Sequence, residues 1–310
     1  MRSRGTGVAT PVPRAGAARR IRSALAPLLW IGPAIVLIAV VVLWPVVEMV
    51  RTSLLKISSS GLTLGSRGAQ NYTDLFSEGD LVDVMLRTLV WVVGVVVATM
   101  VLSLGLAQLL NARFPGRRVV RWAVIVPWAA SVLMTSLIWK WMLDNYFGVV
   151  NEVLVDLGVI DKPVNWLAHP TQAMLWMMWV AVFVSLPFAS FVILAGLQTV
   201  PGEVYEAARV DGAGTFRTYF QITLPLLRPA LLIASIINVI NVFNSFPIIW
   251  AMTQGGPGHA TDTTTTFMYK IAFFDQNVGE SAAMAVVNFA LILVLVLLYL
   301  RASRWREEVS

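Results

Sequence analysis

Six runs of apolar residues without a charged side chain constrain this chain more than any other feature. They lie at 28–47, 88–110, 122–139, within 171–200, 229–250 and 281–300. Each has at least 18 residues, and a helix needs about 20 to cross a hydrocarbon core ~30 Å thick. In lipid only helices and closed barrels satisfy their own backbone, and these runs lack the alternation of barrel strands. The predicted fold class is therefore an all-α membrane protein with six transmembrane helices. Composition agrees, because 57% of the 310 residues are hydrophobic and 13% charged, against about 25% charged in soluble domains. Six arginines between Arg2 and Arg22 precede the first run. That run is too long for a signal-peptide core, and no small-residue cleavage site follows it. It is read as a retained helix behind a basic tail, residues 1–24, expected to be disordered up to about Arg20.

Six spans place both termini on one side with the second and fourth loops. That side carries 16 of the 23 Lys and Arg residues, while the other carries seven of them and 12 of the 17 acids. The positive-inside rule makes the basic side cytoplasmic, so both termini are expected there. Because the basic residues cluster between apolar runs, the net charge of +6 reports membrane orientation, and no nucleic-acid partner is predicted. The external loops, 51–87, 140–170 and 251–280, are long enough for small caps but not for a separate domain. Trp44, Trp139, Trp141 and Trp250 stand near span ends, as an aromatic belt requires.

Enzymatic signals are missing. There is no cysteine, which excludes disulfides and thiolate chemistry. His169 and His259 fall in different external loops without a second ligand at metal spacing, and both read as solvated loop residues. No G-x-x-x-x-G-K-[ST] occurs, and the glycine-rich stretch 255–258 runs into His259 and Ala260, so the chain is expected to bind no nucleotide itself. No G-x-S-x-G occurs either, and uncharged runs offer no proton relay.

Two runs carry uncharged polar groups. Asn238, Asn241, Asn244 and Ser245 recur at three- and four-residue spacing, hence on one broad helix face. Unpaired amides are costly in lipid, so this face turns inward, either to hydrogen-bond other helices or to line a polar pathway. The fourth run offers Ser185, Pro187 and Ser190 among Phe183, Phe188 and Phe191. Amides, hydroxyls and flat aromatic faces together suit a sugar-like solute with hydroxyls and an apolar C–H face.

Between the fourth and fifth runs lies a charged segment, 203–230. Pro201 and Gly202 end the fourth run, and 203–210 reads as a short amphipathic helix with Glu203 and Glu206 where its dipole favours acids. Residues 211–214, Asp-Gly-Ala-Gly, break it, and a second helix is predicted over 215–222, with Thr215 as N-cap and Leu224-Pro225 as its stop. Such a bracket is either a rigid cytoplasmic knob or an ordinary structured loop.

Glu206-Ala207-Ala208, then Gly212, then Ile222-x-Leu224-Pro225 match the pattern E-A-A-x3-G-x9-I-x-L-P. This resembles the EAA loop of binding-protein-dependent ABC importer permeases. The stretch from Asn244 through Gly255-Gly256-Pro257, with Ala260-Thr-Asp-Thr and Tyr269-Lys-Ile-Ala-Phe273, is similar to the carbohydrate branch, of maltose and glycerol-phosphate type. The resemblance implies a six-helix transmembrane domain over 25–301, a coupling loop at 201–228 and a cytoplasmic C-terminal tail at 302–310. It implies that Glu203, Glu206, Ala207, Ala208, Asp211, Gly212 and Arg217 contact an ATPase subunit. It also implies a different second permease in a heterodimer, two cytoplasmic ATPase subunits that hold ATP and Mg, and an extracytoplasmic solute-binding protein. Sugar contacts map onto Phe183, Val184, Ser185 and Phe188, and onto Asn241, Val242 and Ser245, beside Asn244 on the same polar face. The expected function is a permease subunit in a prokaryotic inner membrane that passes a sugar or related polyol. A stand-alone secondary transporter or channel is the alternative, against which the absence of intramembrane charges and inverted repeats weighs.

Overall fold

A computed structural model describes residues 31–304. The basic tail expected to be disordered, the start of the first run, and the end of the C-terminal tail lie outside the described residues. The chain divides into two compact units, one ending at Arg51 and one beginning at Thr52.

The first unit contributes helix α1, Ile31–Ser53, which runs two residues past the boundary and leaves nearly all its apolar side chains exposed. A five-residue π-turn, Ala39–Leu43, interrupts it two residues before Pro45. Proline lacks an N–H, and its ring collides with the carbonyl four residues back; widening the helix there relieves both problems.

The second unit is a helical bundle. It opens with a small antiparallel hairpin, β1 (Leu55–Ile57) and β2 (Thr63–Ser66). There follow α2 (Gln70–Ser77), α3 (Leu81–Asn111), α4 (Arg117–Trp128), α5 (Val132–Met142), α6 (Val149–Asp156) and α7 (Pro170–Thr199). Then come α8 (Gly202–Val210), α9 (Thr215–Leu226), α10 (Arg228–Phe243), α11 (Phe246–Met252), α12 (Thr264–Phe273) and α13 (Val278–Arg304). Helices α3 and α7 form the central pair, and α10 packs on both.

The core lies where these three meet α11. Trp91, Val95, Met177, Ala181, Val242, Phe243 and Ile249 form one buried cluster there. A second cluster, including Leu110, Ile193, Leu197, Leu227 and Ala234, closes the opposite end. Close approach of α7 and α10 requires Gly196, because a Cβ there would stand 2.6 Å from the Cβ of Ala230.

Among the described residues four helices are long and apolar enough to cross a membrane: α1, α3, α7 and α13. Helices α9 and α10, bent by 65° at Leu227, make a fifth if the pair counts as one span. Two expected continuous runs are broken. Run 122–139 splits between α4 and α5, because Ser131 takes an extended backbone with ψ 141°. Run 229–250 splits at Asn244 and Ser245, which leave helical geometry before Pro247 can start α11. The predicted 215–222 helix is also longer. Its N-cap is Gly214 rather than Thr215, and it passes through Pro225 to Leu226 because a π-turn, Tyr219–Thr223, precedes the proline. Both π-turns therefore end two residues before a proline, and the same steric cause accounts for both.

Candidate functional site

A cavity of about 500 Å³ lies between α5, α7, α10 and α11. Its wall on α10 and the following break carries Asn238, Asn241, Val242, Asn244 and Ser245; α7 contributes Ala181, Val184, Ser185 and Phe188. The spacing of Asn238, Asn241, Val242 and Ser245 puts them on one face of α10, which is why the cavity has a polar side. Pro187 lies within α7 and removes the N–H that would meet the Phe183 carbonyl, next to the lining residues Ser185 and Phe188.

The polar groups are not equivalent. Asn241 is exposed, and among the described residues its amide makes no hydrogen bond. Asn238 is 2% exposed, and its Nδ2 has no partner among the described residues. Asn244 donates from Nδ2 to the Ile240 carbonyl at 2.9 Å, which finishes the last turn of α10. Ser245 is fully engaged: its hydroxyl donates to the Val242 carbonyl at 2.6 Å and accepts from Trp91 Nε1 at 2.9 Å. Among the lining residues, Asn238, Asn241 and Ser185 thus keep free hydrogen-bonding capacity, beside the Phe188 ring.

Of the predicted solute contacts, Ser185, Phe188, Asn241, Asn244 and Ser245 line this one cavity. Phe183 does not; its ring packs edge-on against Trp139, with centroids 5.8 Å apart. Trp128, Val132, Pro247 and Ile248 also line it, and sequence reading passed over them because each sits beside a helix break inside a run taken as continuous.

The predicted coupling residues form a second constellation. Glu203, Glu206 and Ala207 are exposed along α8, whereas Ala208 is buried. Asp211 caps the helix, and Gly212 follows in the left-handed region with φ +71°. The Ala213 N–H closes the turn onto the Ala208 carbonyl at 2.9 Å. Arg217 donates to Gln221 Oε1 at 2.9 Å on α9. Two residues not singled out from sequence, Val210 and Phe216, flank this turn with 88% and 82% of their surface exposed. Apolar character alone does not tell which face of a short helix is left open.

A third cluster was also missed. Asp262, 0% exposed, accepts from Lys270 Nζ at 2.7 Å and meets His259 Nδ1 at 2.7 Å. Arg87 of α3 donates to the His259 and Asp262 carbonyls at 2.6 and 3.1 Å. His259 is therefore paired as well as partly solvated, with 38% of its side chain exposed, while His169 is exposed at the start of α7. The usable sequence signal was an aspartate within a threonine run, with a lysine two helical turns later. Among the described residues no three His, Asp or Glu side chains converge as metal ligands.

The family model for the binding-protein-dependent transport system inner membrane component matches residues 92–306. A probable ABC transporter permease protein of Brucella suis biovar 1 is 39% identical over 282 residues, 91% of this chain and 98% of the relative. The sulfoquinovosyl glycerol transport system permease protein of Agrobacterium fabrum is 35% identical over 284 residues, covering 91% and 92%. A chain in the crystal structure of a bacterial ABC transporter that imports the polysaccharide alginate shares the fold, with TM-score 0.79, 20% identity and coverage of 92% and 98%. The chain belongs to the binding-protein-dependent transport system inner membrane component family and is a permease subunit of an ABC importer.

Proposed function

We propose that this permease translocates a sugar or related polyol through the cavity between α7 and α10. The observation that carries the reading is the lining itself, with the free amides of Asn238 and Asn241 on one side and Ser185 and the Phe188 ring on the other. Amides satisfy hydroxyl groups, an aromatic face stacks on a sugar's C–H face, and the absence of charge in the lining suits a neutral polyhydroxylated solute. The volume falls within the range of small-molecule sites. The Agrobacterium fabrum relative is named for sulfoquinovosyl glycerol, a polyhydroxylated solute whose sulfonate would find no charged partner in this lining.

In this reading the chain lies in a prokaryotic inner membrane with six spans and cytoplasmic termini. Helices α4 and α5 together make the third span, and α10 continued by α11 makes the fifth. A second, different permease completes the pathway, a solute-binding protein delivers the sugar from outside, and two cytoplasmic ATPase subunits bind ATP and Mg. Residues 201–228 form the coupling loop. Glu203, Glu206, Ala207, Asp211, Gly212 and Arg217 present it to the ATPase, Ala208 anchors it, and Val210 and Phe216 supply exposed apolar surface for docking. Because α9 bends directly into α10, displacement of this bracket by ATPase closure reaches the helix that carries Asn238 and Asn241.

The test is reconstitution of the chain with its partner permease, ATPase and binding protein in proteoliposomes. Sugar uptake should require both ATP and the binding protein. Uptake by the chain alone, driven by an ion gradient, would instead indicate a secondary transporter.

A further inference from the structure

We propose that the pocket at the start of α4 binds the phosphate headgroup of an anionic phospholipid. The pocket, about 400 Å³, is lined by Phe114, Gly116, Arg117, Arg118 and Arg121. Three arginines thus line one concavity, with Arg113 close by in sequence. No Asp or Glu occurs anywhere from Ala112 to Trp128. Among the described residues, every ion pair lies elsewhere in the molecule. Arg121 donates one bond, to the Leu110 carbonyl at 3.2 Å, while its Nε is buried without a partner. Like charges held together without a counter-charge repel one another, so the site has an unmet demand for an anion. Guanidinium forks match phosphate oxygens in a bidentate geometry that an ammonium group cannot offer.

The surroundings specify a lipid as the source of that phosphate. Val119, Trp122 and Val126 recur at three- and four-residue spacing on the same helix, and all three are exposed. They extend an apolar stripe from the arginine pocket toward the membrane interior, where an acyl chain attached to a bound headgroup would lie. Trp122 adds the aromatic group typical of the interface. The positive-inside rule puts this loop at the cytoplasmic leaflet, where basic pockets bind anionic headgroups. The orientation comes from the proposed function above, but lipid binding itself requires neither transport nor a partner chain.

The experiment uses the full-length chain, delipidated in detergent and titrated with phosphatidylglycerol or phosphatidylcholine, with retained lipid read by native mass spectrometry. Wild type should retain phosphatidylglycerol in preference to phosphatidylcholine. Arg118→Gln should weaken that preference about fivefold, as expected for one arginine at an anionic surface. The R117Q/R118Q/R121Q triple variant should abolish it, and Arg113→Gln, outside the pocket, should preserve it. Melting of each variant checks folding, and the single exposed Arg118 position carries the test if the triple variant unfolds. Equal retention of both lipids by wild type would overturn the proposal. So would an undiminished preference in Arg118→Gln, an equal loss in Arg113→Gln, or complete displacement of the lipid by millimolar inorganic phosphate, which would indicate a free-anion site. Loss of ATPase retention in Arg118→Gln with lipid binding intact would overturn it in favour of a protein contact.

Discussion

Trp91 on α3 holds Ser245 at the break between α10 and α11: its indole Nε1 donates to the serine hydroxyl at 2.9 Å and to the Val242 carbonyl at 3.0 Å. Both side chains are buried. The bond fixes the point where the polar wall of the cavity leaves helical geometry. Trp91→Phe keeps an aromatic ring but loses both donations, at a cost of about 0.5–1.5 kcal/mol for each lost bond. Melting in detergent should fall by a few degrees, about 2–4 °C per kcal/mol. Ser245→Ala should likewise lower stability more than sugar affinity, because its hydroxyl is already engaged. A Ser245→Ala protein of wild-type stability but impaired sugar affinity would contradict this assignment.

The Asp262–Lys270 pair makes a second stability prediction. Removing one member of a buried pair costs about 3–5 kcal/mol, because the other charge stays buried and unpaired. The Lys270 side chain is only 15% exposed and Asp262 is 0% exposed. Asp262→Ala should therefore destabilise strongly, and the D262A/K270M double variant should recover part of the loss. Additive losses in a double-mutant cycle would show that the two charges do not interact. Gly255→Ala should fail for a related reason: its Cβ would stand 1.7 Å from Asp262 Oδ1, and φ there is +78°.

Gly212 tests the backbone of the coupling turn. Its φ of +71° lies in the left-handed region, while the space around it is open. Only backbone strain, and not a clash, should decide what it tolerates, and a β-branched residue pays roughly 1 kcal/mol or more there. Gly212→Val should uncouple ATP hydrolysis from uptake, whereas Gly212→Asn should retain most coupling, since asparagine tolerates this conformation. Equal uptake by both variants in reconstituted vesicles would show that the turn geometry is dispensable.

Docking of the ATPase subunit should depend on exposed groups around that turn. Glu206→Lys reverses a surface charge, and Phe216→Ser removes an apolar ring that the isolated chain leaves exposed. Neither change disturbs the core, so the purification yield of the chain should hold while ATPase retained on it falls. Full retention with both variants would place the contact elsewhere.

The sequence revealed the central architecture because lipid imposes long uncharged helices, and α3, α7 and α13 correspond closely to three of its apolar runs. Asn241 and Ser185 were recognisable as cavity residues for a similar reason, since a polar group at helical spacing in an apolar run has few places to go. The breaks were not legible. Ser131, Asn244 and Ser245 are permissive residues whose local dihedrals sequence alone does not set, and Ser245 is held by Trp91, more than 150 residues away. Nor were Val210 and Phe216, because apolar character alone does not distinguish a buried face from one left open for a partner. Asp262 needed Lys270 and Arg87 to be understood, and the latter is distant in sequence.

The central claim is that the wall formed by α10 contacts a polyhydroxylated solute, and Asn241 is the residue to measure. Asn241 lines the cavity, and among the described residues its amide makes no hydrogen bond, so Asn241→Ala should express and hydrolyse ATP as wild type does. Uptake of radiolabelled sugars into proteoliposomes with all partners present should fall by about 2- to 12-fold, the equivalent of one hydrogen bond of about 0.5–1.5 kcal/mol. The loss should vary with the sugar offered. Unchanged uptake of every sugar, accompanied by a less stable complex, would show that Asn241 packs against a neighbour and would contradict the account.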